Sequence, residues 1–452
     1  TAALAASDVA TEALFHQTGV IRADSLDELF DLAVALSSQP LPSGRRVAVL
    51  TNAGGLGILC ADACEAAGLI VEPLSQATKE RLRAFLPNTA SVANPVDMIA
   101  SASADDFSRA TETLLACAEI DALIVLTINV GIADITAITG SITAAVAGAR
   151  ASGAAPKTVL TCIMDNAAMQ QADQRLTDRL PNYAFPEHPA RVLGKLVRYA
   201  EWRHQPLGLI PEFDDLQPNR ARAVCRNALT ERGPGWLATS EACEVLAAFG
   251  LPTPPGAIAK NADDAARLAT AAGYPVAIKL ASSKIMHKTE VGGVCLNLED
   301  ESAVRAAFVA IRERLALQNQ LDAMDGVLVQ PMFSGGVEVM IGVTQDPLFG
   351  PLIAFGLGGI HVEILNDVCF RVTPISDRDA ADMVRSIRGY RLLQGYRGHP
   401  PADTAAIEDL LLRVSRLVEE LPEIVELDLN PVFALPPGKG CMIVDARIRV
   451  DA

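Results

Sequence analysis

The sequence is short of positive charge, of histidine and of paired cysteine, and each shortage excludes something. Against 54 acidic residues stand 38 lysines and arginines, a formal charge of -16. Such a field repels phosphate-rich surfaces and argues against a nucleic-acid or anionic-membrane partner. It does not exclude a locally basic pocket for a nucleotide. Nine cysteines are scattered without a C-x-x-C pair, and Cys60 and Cys64 are the closest, one helical turn apart. None of the six histidines stands at ligand spacing from them, so a zinc site is the weaker reading. Reduced, mostly buried thiols of a cytoplasmic protein are the expectation. No apolar run is long enough to cross a bilayer. There is no low-complexity segment, no short-period repeat, and no signal-peptide pattern before the helical periodicity that follows Thr1. That opening reads as part of a longer polypeptide.

What is present is a well-packed composition. Half of the 452 residues are hydrophobic and a fifth are charged, which disfavours disorder and calls for two or three domains. Residues 1–40 read as two helices, with Ser25 as the N-cap of the second, and PLPSG at 40–44 reads as a linker. Over 44–205 short apolar strands alternate with helices: RVAVLT, DALIVLTIN (121–129) and TVLTCIM (158–164). Continuous hydrophobic strands between helices indicate a parallel sheet covered on both faces. Residues 206–235 read as a connector. From 236 to 452 the strands lengthen and look antiparallel: YPVAIKLA, GVLVQPM, GGVEVMIGVT, PLIAFGLGG, VFALP and CMIVDARI. The fold class expected is an α/β domain followed by an α+β domain.

Four groups of residues could carry chemistry. TNAGGLG, with Asn52, Gly54 and Gly55, joins a strand to a helix, and such a turn offers backbone N–H groups to an anion. Its spacing is not the dinucleotide fingerprint, and a tight turn needing positive φ explains it equally well. Lys279 ends an apolar strand, where burial calls for an anion, either a nucleotide phosphate or a carboxylate. His287 follows in HKTEVGG beside Glu290. Imidazole is a nucleophile near neutral pH and an acid can orient it, though a solvated loop histidine is the commoner case. ELDLNP places Glu426, Asp428 and Asn430 on one strand face, and Asp445 follows in VDARI; such an oxygen row suits nucleotide-bound magnesium. Finally, FGLGGIHVEILNDVCFR carries Gly356, Gly358, Gly359, Glu363 and Arg371, the last a candidate phosphoryl clamp. Met98, Met164, Met286 and Met332 read as core fillers.

Together these segments, with ASVANPVDMI, IKLASSKIMHKTEVGGV, GGVEVMIGVTQDPLFGP and GYRGHPPAD, resemble the nucleoside-diphosphate-forming acyl-CoA synthetases, relatives of succinyl-CoA synthetase. The resemblance covers essentially the whole chain. It implies a flavodoxin-like CoA-ligase domain at 44–205, an ATP-grasp domain at 236–452, and residues 1–43 as the tail of a phosphohistidine domain lying before Thr1. It implies ATP, Mg2+ and coenzyme A, a small carboxylic acid as substrate, a homodimer, and a CoA-binding domain in the same protein. By position, His287 resembles the phosphohistidine, Lys279 the ATP-phosphate lysine, and Asn430 and Asp445 the magnesium ligands. Residues 327–332, including Val329, Gln330 and Met332, resemble the adenine hinge, with Glu338 and Glu363 near it. The TNAGGLG helix would point at a phosphohistidine. Glu290 stands where many relatives have aspartate, which keeps the charge. A synthetase-like regulatory region of a protein lysine acetyltransferase is the rival reading, and an amide-forming ATP-grasp ligase a third.

Overall fold

The computed structural model describes residues 2–129, 134–153, 155–164, 176–177, 180–282, 284–285, 288, 291–333, 335–359, 367–398 and 400–451, with backbone alone at 2–7 and 176–177. The chain forms two compact units, one of Gly19–Pro206 and one of Thr1–Thr18 with Leu207–Ala452.

In the first unit, β1 (Val47–Thr51), β2 (Val96–Asp97), β3 (Ala122–Ile128) and β4 (Thr158–Met164) form a parallel sheet in the order β2-β1-β3-β4. Alternate side chains serve two cores. Ala48, Leu50, Leu123, Val125 and Val159 face one cluster, while Val47, Val49, Ile124, Leu126, Leu160 and Cys162 face the other. Both faces are dry, which is why these strands read as unbroken hydrophobic runs. Each fully buried leucine contributes about 1.5–3 kcal/mol by removal from water. Helix α2 (Leu26–Ser38) starts at Ser25, whose hydroxyl accepts from the Glu28 N–H as expected. Helix α3 (Gly54–Ala66) follows β1. A short hairpin, β5 (Leu176–Thr177) with β6 (Leu180–Pro181), completes the strands here.

The second unit has two antiparallel sheets. Strands β8 (Ala257–Ala259), β9 (Val276–Ala281), β10 (Val294–Leu298) and β11 (Gly326–Pro331) run in the order β10-β9-β11-β8. The larger sheet takes β7 (Gly235–Trp236), β12 (Val337–Asp346), β13 (Gly350–Leu357), β14 (Val368–Val372), β15 (Ile424–Ala434) and β17 (Ala446–Val450) in the order β14-β13-β12-β15-β17-β7. Strand β16 (Cys441–Ile443) also pairs with β15. ELDLNP and VFALP are thus one strand, and CMIVDARI is two, with Val444 and Asp445 in the break.

Two segments outside the expected bounds of the second domain pack with the second unit. Helix α1 (Ala2–Thr18) packs in the second unit, with Ala10 and Ala13 against Leu352, Phe349, Phe370 and Val372. The Gln17 amide donates to Val372 O at 2.9 Å and accepts from its N–H at 2.8 Å. The stretch taken as a connector contains the helix Pro218–Arg232, whose Ala221, Cys225 and Ala228 are buried in the second unit's core. Their i, i+4, i+7 spacing makes an apolar stripe on an otherwise polar helix. The cysteines are free thiols, six of them buried as expected, and burial pushes the Cys162, Cys225 and Cys441 thiols up to about 12.

Asp121, just before β3, receives Arg46 Nε at 3.0 Å, Arg46 Nη2 at 2.7 Å and the Arg46 N–H at 3.0 Å. The guanidinium holds the carboxyl below its ordinary value. A depressed carboxyl stabilises the fold fully above the unfolded value of about 4, and that contribution is lost as pH falls through the folded value. Asp121→Asn is expected to destabilise the first unit by about 1–3 kcal/mol at pH 7. Urea melts of both proteins at pH 7 and below pH 4 should show the difference narrowing in acid.

Candidate functional site

The C-terminal unit gathers charge where its two sheets meet. All six residues of β9 are buried, and Lys279 sits opposite Leu328 of β11 and Val294 of β10. Only 6% of the lysine is exposed, and Nζ donates to Val444 O at 2.6 Å in the break between β16 and β17. Burial pushes its pKa down, Asp445 works against that shift and Lys288 adds to it. Lys288 Nζ lies 3.6 Å from Asp445 Oδ1, and Arg447 Nε lies 4.0 Å from Asp445 Oδ2. The Asn430 N–H donates to Asp445 O at 3.2 Å. Glu426, Asp428 and Asn430 do share one face of β15, since Leu427 and Leu429 between them are buried. Asp428 stands opposite Arg447, yet burial still raises its carboxyl pKa. Glu426 stands opposite Arg449, with 3.6 Å between their charged groups.

Lys279, Asn430 and Asp445 therefore come together. Among the described residues no three histidine, cysteine or acidic side chains converge as a complete metal cage. Magnesium on a nucleotide needs only one or two protein oxygens, because phosphates and water fill the rest. The Asp445 carboxylate is an oxygen donor of that kind, with the Asn430 main chain bonded beside it.

The proposed adenine residues are placed differently from one another. Val329 is paired on both sides, with Ile278 and Ala257. The Met332 N–H is given to Pro275 O at 2.9 Å. Val329 is engaged because β11 lies between β9 and β8 there, and Met332, just past β11, bonds to the residue before β9. Gln330 lies beyond the last rung with β8; it is 3% exposed, and its Oε1 has no hydrogen-bond partner among the described residues. Glu338, Gly358 and Gly359 meet at the adjoining ends of β12 and β13. The Gly358 N–H donates to Glu338 O at 2.8 Å, and a Cβ at Gly359, with φ +68°, would stand 2.9 Å from Glu338 Oε2. By register Glu338 on β12 is two strand spacings from β16, about 10 Å, and the glycines at the end of β13 are three, about 14 Å.

Arg371 is not brought to this cluster. It shares a row with Ile353, Val343, Leu427 and Ile448, on the core face of the sheet. It is four strand spacings from β17, about 19 Å. Its Nη1 donates to Phe370 O at 2.8 Å, and its buried Nε has no partner among the described residues. Arg447 lies on the opposite face, in the row of Asp428, Gly342, Ala354 and Phe370. His287, Glu290 and Glu363 lie outside the described residues.

In the first unit, Asn52 is 2% exposed and spends its amide on Ile128, donating to O at 3.1 Å and accepting from N–H at 3.0 Å. It clasps the ends of β1 and β3. Gly54 and Gly55 open α3, and Ala53 offers no side-chain cap. Neither glycine has positive φ, so the tight-turn explanation fails. Space is the reason at Gly54, where a Cβ would lie 2.8 Å from Asp97 Oδ2. An uncapped helix start of this kind can receive an anion.

Lys288 and Arg447 were not singled out by sequence. The available signal was alternation, since Asp445 and Arg447 are two apart at the start of a strand.

Comparison with known proteins agrees with this geometry. A Ligase-CoA domain model matches residues 47–206 and an ATP-grasp domain model matches 227–450. The chain is 35% identical to the 4-hydroxybutyrate–CoA ligase (ADP-forming) of Nitrosopumilus maritimus, over 99% of this chain and 63% of that protein. It is 38% identical to the acetate–CoA ligase (ADP-forming) I of Archaeoglobus fulgidus, with the same coverage. It is also 47% identical to the beta subunit of the acetate–CoA ligase (ADP-forming) II of Pyrococcus furiosus, over 46% of this chain and 89% of that subunit. The chain thus spans 63% of the length of the two longer relatives. With one relative matched over most of its length and both domain models in order, the chain belongs to the family of ADP-forming acyl-CoA synthetases.

Proposed function

We propose that the protein is an ATP-dependent acid–CoA ligase that works through phosphohistidine and acyl phosphate. The gathering of Lys279, Lys288 and Asp445 at the junction of two antiparallel sheets carries this reading. Lys279 attracts the polyphosphate, and Gln330, with Val329 and Met332 beside it, borders the base. Glu338 and the glycines at 358 and 359 line the corner near the sugar. Asn430 and Asp445 would hold Mg2+, which when bound neutralises charge on the phosphates. The imidazole of His287, oriented by Glu290, takes the γ-phosphoryl group and releases ADP. The phosphoryl then passes to a carboxylate, and the thiol of CoA displaces phosphate from the acyl phosphate. Acid, CoA and ATP become acyl-CoA, ADP and phosphate. The start of α3 at Gly54 and Gly55 receives a phosphohistidine through its N–H groups. Asn52 holds that turn, and Arg371 is given no part.

Our proposal extends to organisation. The ligase domain is taken as 44–205 and the ATP-grasp domain as 236–452, with residues 1–43 continuing a phosphohistidine domain. CoA-binding and further phosphohistidine functions are supplied by the same protein, which we take to be a cytoplasmic homodimer. Among the described residues no helix is long and apolar enough to cross a membrane.

Incubation with Mg-ATP followed by mass spectrometry should give acid-labile phosphate on His287, and none in His287→Asn. Nucleotide binding without phosphohistidine in fresh protein would remove the catalytic reading.

Lys279→Met should weaken Mg-ATP binding by roughly 10- to 100-fold, the scale of one charge-assisted hydrogen bond. The ammonium form attracts phosphate, so wild-type affinity should fall as pH rises through the depressed value of Lys279. Calorimetric titration across the alkaline range checks this, and an unchanged affinity in the variant would detach Lys279 from the nucleotide.

A further inference from the structure

Lys288 is a buried cation whose ion pair with Asp445 is a long one. It is 8% exposed, its nearest carboxylate oxygen is 3.6 Å away, and its ammonium makes no hydrogen bond among the described residues. Arg447 is in a similar position. Its side chain is about one quarter exposed, its approach to Asp445 is 4.0 Å, and none of its five donors is hydrogen-bonded among the described residues. The two cations flank a single carboxylate, one toward Oδ1 and the other toward Oδ2. Asp428 is the cross-strand neighbour of Arg447 on the same face of the sheet.

Burying charge without hydrogen bonds is costly, and the cost is recovered when an anion arrives. Both side chains line one cleft, together with Trp236, Thr239, Ser282 and Ile285. The backbone of Lys288 is fixed there: its carbonyl accepts from the Gly293 N–H at 2.7 Å, and Ser282 Oγ anchors the start of the loop through the N–H groups of Lys284 and Ile285. The main chain that carries the ammonium is therefore anchored on its C-terminal side. Three cations, counting Lys279, surround Asp445 within one cluster.

We propose that Lys288 and Arg447 form a two-cation clamp for the transferring γ-phosphoryl group, the role first sought at Arg371. Lys279 grips the part of the polyphosphate common to ADP and ATP, whereas the clamp engages the terminal group. An equatorial phosphoryl oxygen can accept from the guanidinium and another from the ammonium, so charge is neutralised while the P–O bond to ADP breaks and the bond to the imidazole nitrogen forms. This assignment rests on the nucleotide-site reading above.

The test compares ADP with a non-hydrolysable ATP analogue, both with Mg2+, in the full chain. Wild type should bind the analogue more tightly, and Arg447→Met and Lys288→Met should each lose about 10- to 100-fold of that affinity while ADP affinity stays within a few fold. Arg447→Lys should restore part of the loss, which a purely structural role would not give. Equal losses for ADP and the analogue, or unchanged analogue binding in Arg447→Met, would overturn the clamp. A wild type that binds ADP and the analogue equally would overturn it too. The parent reading fails separately: a wild type with the analogue preference but no acid-labile phosphate on His287 keeps the clamp and loses the phosphohistidine.

Discussion

An ammonium group buried between two sheets is the constraint on which the C-terminal unit turns. Lys279 leaves the smaller sheet at β9 and bonds to Val444 O, in a break of the larger one. A lysine there cannot be solvated, so the chain must provide oxygen atoms around it. The break between β16 and β17 does so by freeing a carbonyl and setting Asp445 beside it. Asn430, Lys288 and Arg447 are then positioned by the same break. Two sheets that could each fold around their own helices are thereby committed to one polar junction.

Much of this was legible because it is local. Unbroken apolar runs gave β1, β3 and β4, and the dry faces on both sides explain why no alternation was seen. Ser25 was readable as a cap because capping depends on neighbours three residues away. Lys279, Asn430 and Asp445 were readable because they interrupt apolar or strand patterns. Spatial register was not. Arg371 and Arg447 look equally suited to a phosphate in sequence, yet they lie on opposite faces, four strands apart. That difference is set by pairings between segments far apart along the chain, which spacing alone cannot encode.

The helix Pro218–Arg232 shows another limit. Its arginines and asparagines make it look like a solvated tether, but three small residues on one stripe are enough to seat it in the core. Small buried side chains leave a weak signature, because alanine is also the commonest filler of exposed helices.

The allegiance of α1 has a wider consequence. Gln17 presents its amide to Val372 as a neighbouring strand would present its backbone, closing an edge that could otherwise recruit foreign strands. A helix that precedes the ligase sheet in sequence thus seals the border of the ATP-grasp sheet. The two halves are interlaced in the order of the chain rather than strung end to end. Cutting at Pro206 would separate the cover from the strip of Phe349, Leu352, Phe370 and Val372 that it shields, and an isolated C-terminal half would meet solvent with an adhesive margin.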